Sequence, residues 1–170
     1  MKTNLAKLLF LLLALPAIRM QAQTENTDAF ANIVTPITIT ETRSLHFGTL
    51  STSSAVGTCV LAPSGTRTQT GGVALTSLSP TATSAAYTVT GTAGIAYNIS
   101  LPTTNITVTR NGGGGQTMTI STFISSKTGN ASILSGTGTD SFTVGATLNV
   151  GASQVAGLYQ GNFNVTVTYN

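Results

Sequence analysis

From residue 162 to the end the chain alternates without a break. Phe163, Val165, Val167 and Tyr169 fall on one phase, and Asn162, Asn164, Thr166, Thr168 and Asn170 on the other. A two-residue rhythm puts apolar side chains on one face of an extended strand, whereas a helix needs them three and four apart. The rhythm recurs in Tyr87 and Val89, in Ile95, Tyr97, Ile99 and Leu101, and in Phe142, Val144, Ala146, Leu148 and Val150. Past residue 22 no window keeps helical spacing, and Thr, Val and Ile, whose branched side chains suit a pleated surface, replace the best helix formers.

Further strands are expected over residues 30–40, 45–48, 58–62 and 73–75. Pro36 marks the first as an edge strand, a sheet switch or a break, because proline cannot donate to a ladder. Pro63, Ser64 and Gly65 form a turn, and Ile106 and Val108 return as Met118 and Ile120 across a glycine loop at 112–115. About eight to ten short antiparallel strands at this turn spacing predict an all-β sandwich or barrel with apolar inner faces and Thr, Ser or Asn outside.

The first 22 residues stand apart. Lys2 and Lys7 precede an unbroken apolar run at 8–15, Pro16 interrupts it, and Ala22 offers a small residue for cleavage. This is the layout of a secretory signal, too short to span a bilayer, so the expected product is exported and not inserted in a membrane. Residues 23–28 read as a mobile leader and 29–170 as one domain. Cleavage removes Lys2, Lys7 and Arg19. Arg43, Arg67, Arg110 and Lys127 then balance Glu25, Asp28, Glu41 and Asp140, so no basic patch remains for nucleic acid. Cys59 is alone and reads as a small buried hydrophobe rather than a reactive thiol.

An enzyme needs a base, a nucleophile or a metal in one place. His46 is the single histidine, and only Glu41 and Asp140 lie in the body of the domain. No catalytic residue, cofactor-binding residue or metal ligand is assigned: the ligands for zinc are too few and the carboxylates too dispersed for calcium. The glycine run lacks the Lys-Ser/Thr and the helix of a phosphate loop. The terminal strand is the strongest signal, since a strand with one apolar face can pair with a neighbouring chain as readily as with its own sheet.

Three stretches carry a resemblance. They are Ile33-Val34-Thr35-Pro36-Ile37-Thr38-Ile39 followed by Leu45-His46-Phe47-Gly48; Tyr87-Thr88-Val89-Thr90-Gly91 with Tyr97-Asn98-Ile99-Ser100-Leu101-Pro102; and Phe142-Thr143-Val144-Gly145-Ala146-Thr147-Leu148 with Gly157-Leu158-Tyr159 and Val165-Thr166-Val167-Thr168-Tyr169. Together they resemble a secreted bacterial family known only as domain of unknown function 4402, which is similar to the spore coat protein U domain and, more distantly, to chaperone–usher pilin subunits. The resemblance implies an immunoglobulin-like, pilin-like sandwich in surface fibres or coats, with other copies or related subunits and a periplasmic chaperone as partners. It implies an assembly strand with Gly157, Phe163, Val165, Val167 and Tyr169, and a donated or edge strand with Phe30, Ile33, Pro36, Ile37 and Ile39. The chain departs from the pilin pattern in its lone Cys59 and its short leader. The expected function is that of a non-enzymatic structural subunit of the periplasm, cell surface or extracellular space. The alternative is a monomeric adhesin or polysaccharide-binding module using loops 111–115 and 128–138.

Overall fold

A computed structural model describes residues 20–170. The expected signal segment, 1–22, therefore lies almost wholly outside the described residues. The chain divides into a unit of residues 1–32 and a unit of residues 33–170. In the first, residues 20–32 form no helix or strand and their side chains are exposed.

In the second unit the alternating stretches become antiparallel strands. β1 (Thr38–Arg43), β2 (Leu50–Leu61), β3 (Arg67–Leu75) and β4 (Ala85–Thr90) come first. β5 (Ala96–Ser100), β6 (Ile106–Arg110), β7 (Thr117–Ser125) and β8 (Ala131–Ile133) follow, with a 3₁₀ turn at Thr128–Asn130 before β8. β9 (Thr139–Val150), β10 (Tyr159–Gln160) and β11 (Thr166–Tyr169) complete the set.

The larger sheet has eight strands and runs β1-β4-β9-β7-β6-β10, with β2 and β3 branching from it; the smaller runs β11-β5-β8. β9 is the hub. Its first half pairs with β4 (Ala85↔Val144), its second half with β2 (Leu61↔Ala146), and β7 lines its other edge. The change of partner falls at Gly145, where an added Cβ would strike the backbone of residues 61–63. Only glycine lets two strands end and begin so close to a third.

Phe142, Val144, Ala146, Leu148 and Val150 are all buried on one face of β9, as the alternation requires. They divide between two clusters. One joins the two sheets through Tyr87, Val89, Tyr97, Ile99, Leu134 and Val167. The other lies under the branched half and contains Cys59, Val73, Val108 and Ile120. The fold is thus an all-β antiparallel sandwich, and Cys59 is a fully buried core residue.

Several expected boundaries are corrected. The first strand begins at Thr38 and not at residue 30, because Pro36 cannot donate and the ladder starts only beyond it, with Thr38↔Thr90. Residues 45–48 supply one isolated bridge, His46↔Thr83, with Leu45 and Phe47 half-buried beneath it. The last strand covers residues 166–169, and Phe163 and Val165 precede it in irregular chain. β7 carries a bulge between Ser121 and Ile124, with Thr122 at φ 51. The extra residue switches the phase, so Ile120 and Phe123 both face inward while Ile124 turns outward.

Candidate functional site

The terminal strand is built by two residues that face the core, Val167, which is buried, and Tyr169, which is half-buried. β11 pairs with β5 from Thr166↔Ser100 to Tyr169↔Tyr97, and its opposite edge has no partner strand among the described residues. No charged side chain guards that edge. Natural sheets usually blunt an open edge with lysine, proline or a bulge. β1, one open edge of the larger sheet, follows that rule: Pro36 precedes it, Glu41 and Arg43 lie on it, and its register shifts between them.

Tyr169 reaches across the sandwich. Its hydroxyl donates to the Thr35 carbonyl oxygen at 2.7 Å and accepts from the Thr92 N–H at 2.7 Å. The Thr35 N–H donates in turn to Thr92 Oγ1, also at 2.7 Å. Gly91 makes room for this junction, since a Cβ there would press on the Tyr169 hydroxyl. Sequence reading misses Thr92 and Thr35; the one clue is the glycine that ends β4.

The other residues of the expected assembly strand lie apart from the open edge. Phe163 packs against Phe123, ring centroids 4.7 Å apart, and Val165 supports the same core cluster. Gly157 lies in the loop before β10, at φ 152, beneath the side chain of Arg110. The expected donor set also divides. Ile37 and Ile39 pack into their own core, while Phe30 and Ile33 are 93% and 94% exposed and, like Pro36, belong to no strand.

The few charges do structural work. Arg43 donates to Ser84 O at 2.9 Å, Arg67 to Phe47 O at 2.9 Å and Thr76 O at 2.8 Å, and Arg110 to Ala156 O at 2.8 Å. Asp140 collects Lys127, Ser132, the Ser141 N–H and Tyr97. Burial pushes its carboxyl up, but these hydrogen bonds outweigh burial and hold it below its ordinary range. Burial, then the bond to Asp140 and its charge, push Tyr97 up to about 12, against a smaller opposing effect of Ser132. Burial likewise raises the Cys59 thiol, opposed by the charge of Arg67. His46 uses Nδ1 to accept from the Gly48 N–H at 2.8 Å.

The outer face of the branched half carries a row of uncharged polar groups across five strands. Thr70 pairs with Thr58, Thr58 with Asn149, Asn149 with Thr119 and Thr119 with Thr107. A shallow open depression of about 540 Å³ lies over part of this row.

The family model described as "Domain of unknown function (DUF4402)" matches residues 37–169, which takes in all eleven strands but not Phe30 or Ile33. No curated protein matches the chain.

Proposed function

The chain belongs to the DUF4402 family, and we propose that this member is a non-enzymatic, exported structural subunit that assembles by β-strand pairing. The observation that carries the proposal is the uncharged outer edge of β11, which has no partner strand among the described residues. Backbone groups on such an edge are satisfied by another strand, with main-chain hydrogen bonds for grip and alternate side chains for register. Phe30 and Ile33, exposed ahead of β1, supply the apolar residues of an incoming strand from another copy or a related subunit. A near-neutral surface of Thr, Ser and Asn adds no repulsion between packed copies. A periplasmic chaperone that covers the edge before assembly fits the same scheme.

Two measurements test this. The exported chain should begin at Gln23 when its N-terminus is sequenced. Purified protein should form ladders that survive unheated detergent, and Phe30→Asp with Ile33→Asp should abolish them without lowering the melting temperature. Strictly monomeric wild-type protein over a wide concentration range would remove the proposal.

The hydroxyl and amide row from Thr70 to Thr107 favours a second reading, a module that binds a neutral polysaccharide through this face rather than through its loops. A glycan array with wild type and Asn149→Ala separates the two, since strand assembly does not need Asn149.

A further inference from the structure

We infer that the junction of Tyr169, Thr35 and Thr92 is a latch that holds residues 33–37 onto the domain and keeps the seam between β1 and β11 too narrow for another strand. The inference rests on the reading of β11 as an acceptor edge and concerns its control.

The seam lies between β1 and β11, each an open edge of its sheet. β1 and β11 approach to within 8 Å between Cα atoms, yet no ladder joins them. Neighbouring strands lie about 4.8 Å apart, so a strand inserted between two others needs roughly 9.5 Å. Where the two strands approach, the seam is therefore narrower than an inserted strand. β1 must swing outward before β11 can accept a partner.

What holds β1 there is local. Its ladder to β4 begins at Thr38, and Pro36 has no N–H to contribute. Upstream of Thr38, both backbone groups of Thr35 are taken by side chains: Thr92 Oγ1 accepts from its N–H, and the Tyr169 hydroxyl donates to its carbonyl oxygen. The Thr92 N–H donates to the same hydroxyl, and Thr92 Oγ1 is a second, longer donor to the Thr35 carbonyl oxygen at 3.4 Å. Tyr169 lies on the acceptor strand itself, so one hydroxyl ties the strap to the edge it guards. Gly91 keeps that position open. A junction of few hydrogen bonds at the start of an edge strand opens far more readily than the core does.

The test compares full-length wild type with Tyr169→Phe, which removes the hydroxyl and keeps the ring, and Gly91→Ala, which pushes the hydroxyl out by a different route. Hydrogen exchange of residues 33–40 and the rate of oligomer growth from monomer are measured together, with circular dichroism to confirm that each variant folds. The latch requires exchange at Thr35 and at 37–40 to quicken roughly tenfold in both variants while β5 and β9 keep their protection. Unchanged exchange in Tyr169→Phe overturns it, whatever the oligomers do. Faster exchange with faster growth supports both the latch and the acceptor edge. Faster exchange with no growth in any variant leaves the latch standing and removes β11 as an acceptor.

Discussion

Lys127 Nζ lies 2.8 Å from Asp140 Oδ1 and makes the one ion pair among the described residues. It ties the segment after β7 to the start of β9, and Tyr97, fully buried in β5, donates to the other carboxylate oxygen at 3.0 Å. The pair thus links both sheets at the end where β9 contacts β4. Its carboxyl ionises at lower pH in the folded chain than in the unfolded one, where the value is about 3.9. Such a group stabilises the fold above the unfolded value, and the gain is lost as pH falls through the lower, folded value. Urea midpoints should therefore drop on acidification below about pH 4. Lys127→Met should cost about 1 kcal/mol at neutral pH and flatten that acid limb. An acid limb as steep in Lys127→Met as in wild type would show that the pair is not its source.

Gly145 allows β9 to exchange β4 for β2. An alanine there would place its Cβ 2.6 Å from the Ala62 carbonyl carbon and 2.7 Å from the Pro63 nitrogen, backbone atoms that cannot rotate away. Gly145→Ala should cost about 3 kcal/mol, read as a lower urea midpoint at unchanged slope. Gly151→Ala is the control. Its Cβ would meet only the end of the flexible Gln154 side chain, at 2.9 Å, and should cost less than about 1 kcal/mol.

The same places show how far sequence reading reaches. Where alternation is unbroken, as from Phe142 to Val150 or through Tyr97 and Ile99, both the strand and its inward face were legible, because side-chain period alone decides them. Where backbone geometry intervenes, the rhythm misleads. Plain alternation from Ile120 would send Ile124 inward, but the bulge at Thr122 turns it out, 50% exposed, and brings in Phe123. Residues 50–57 of β2 hold mostly Ser, Thr, Ala and Gly and leave no apolar phase to read. Phe163 and Val165 keep the phase of β11 without belonging to it, since both pack against the core from irregular chain that forms no ladder. Tyr169 was legible as an inward residue. Its hydroxyl partners were not, because Thr35 and Thr92 lie 134 and 77 positions away and no local pattern joins them.

At high pH two tyrosines should lag. Burial, then the nearby charge of Glu41, push Tyr87 up to about 12, the value Tyr97 also reaches. Each holds its proton longer in the folded chain than in the unfolded one, where the value is about 10. Their contribution is intact below pH 10 and is lost as pH rises from about 10 toward 12. Phenolate absorbance during an alkaline titration should therefore rise late for Tyr87 and Tyr97, in step with loss of the folded circular dichroism signal. In Tyr97→Phe the late phase should shrink by one tyrosine. A titration in which both ionise near 10 while the fold persists would refute the assignment.

The glycine loop between β6 and β7 separates backbone strain from crowding. Gly112 and Gly113 have φ of 93° and 90°, and an added Cβ at either would meet nothing within 4 Å. Any cost of alanine there comes from the left-handed backbone alone, about 1 kcal/mol at each position. Gly136 has equally open surroundings but no positive φ. Alanine at that position should be neutral, or stabilising by up to about 1 kcal/mol through a less flexible unfolded chain. Chemical denaturation of Gly113→Ala and Gly136→Ala should thus move the midpoint down in the first and leave it level or raise it in the second. Equal losses in both would mean that the loop owes its glycines to something other than their dihedral angles.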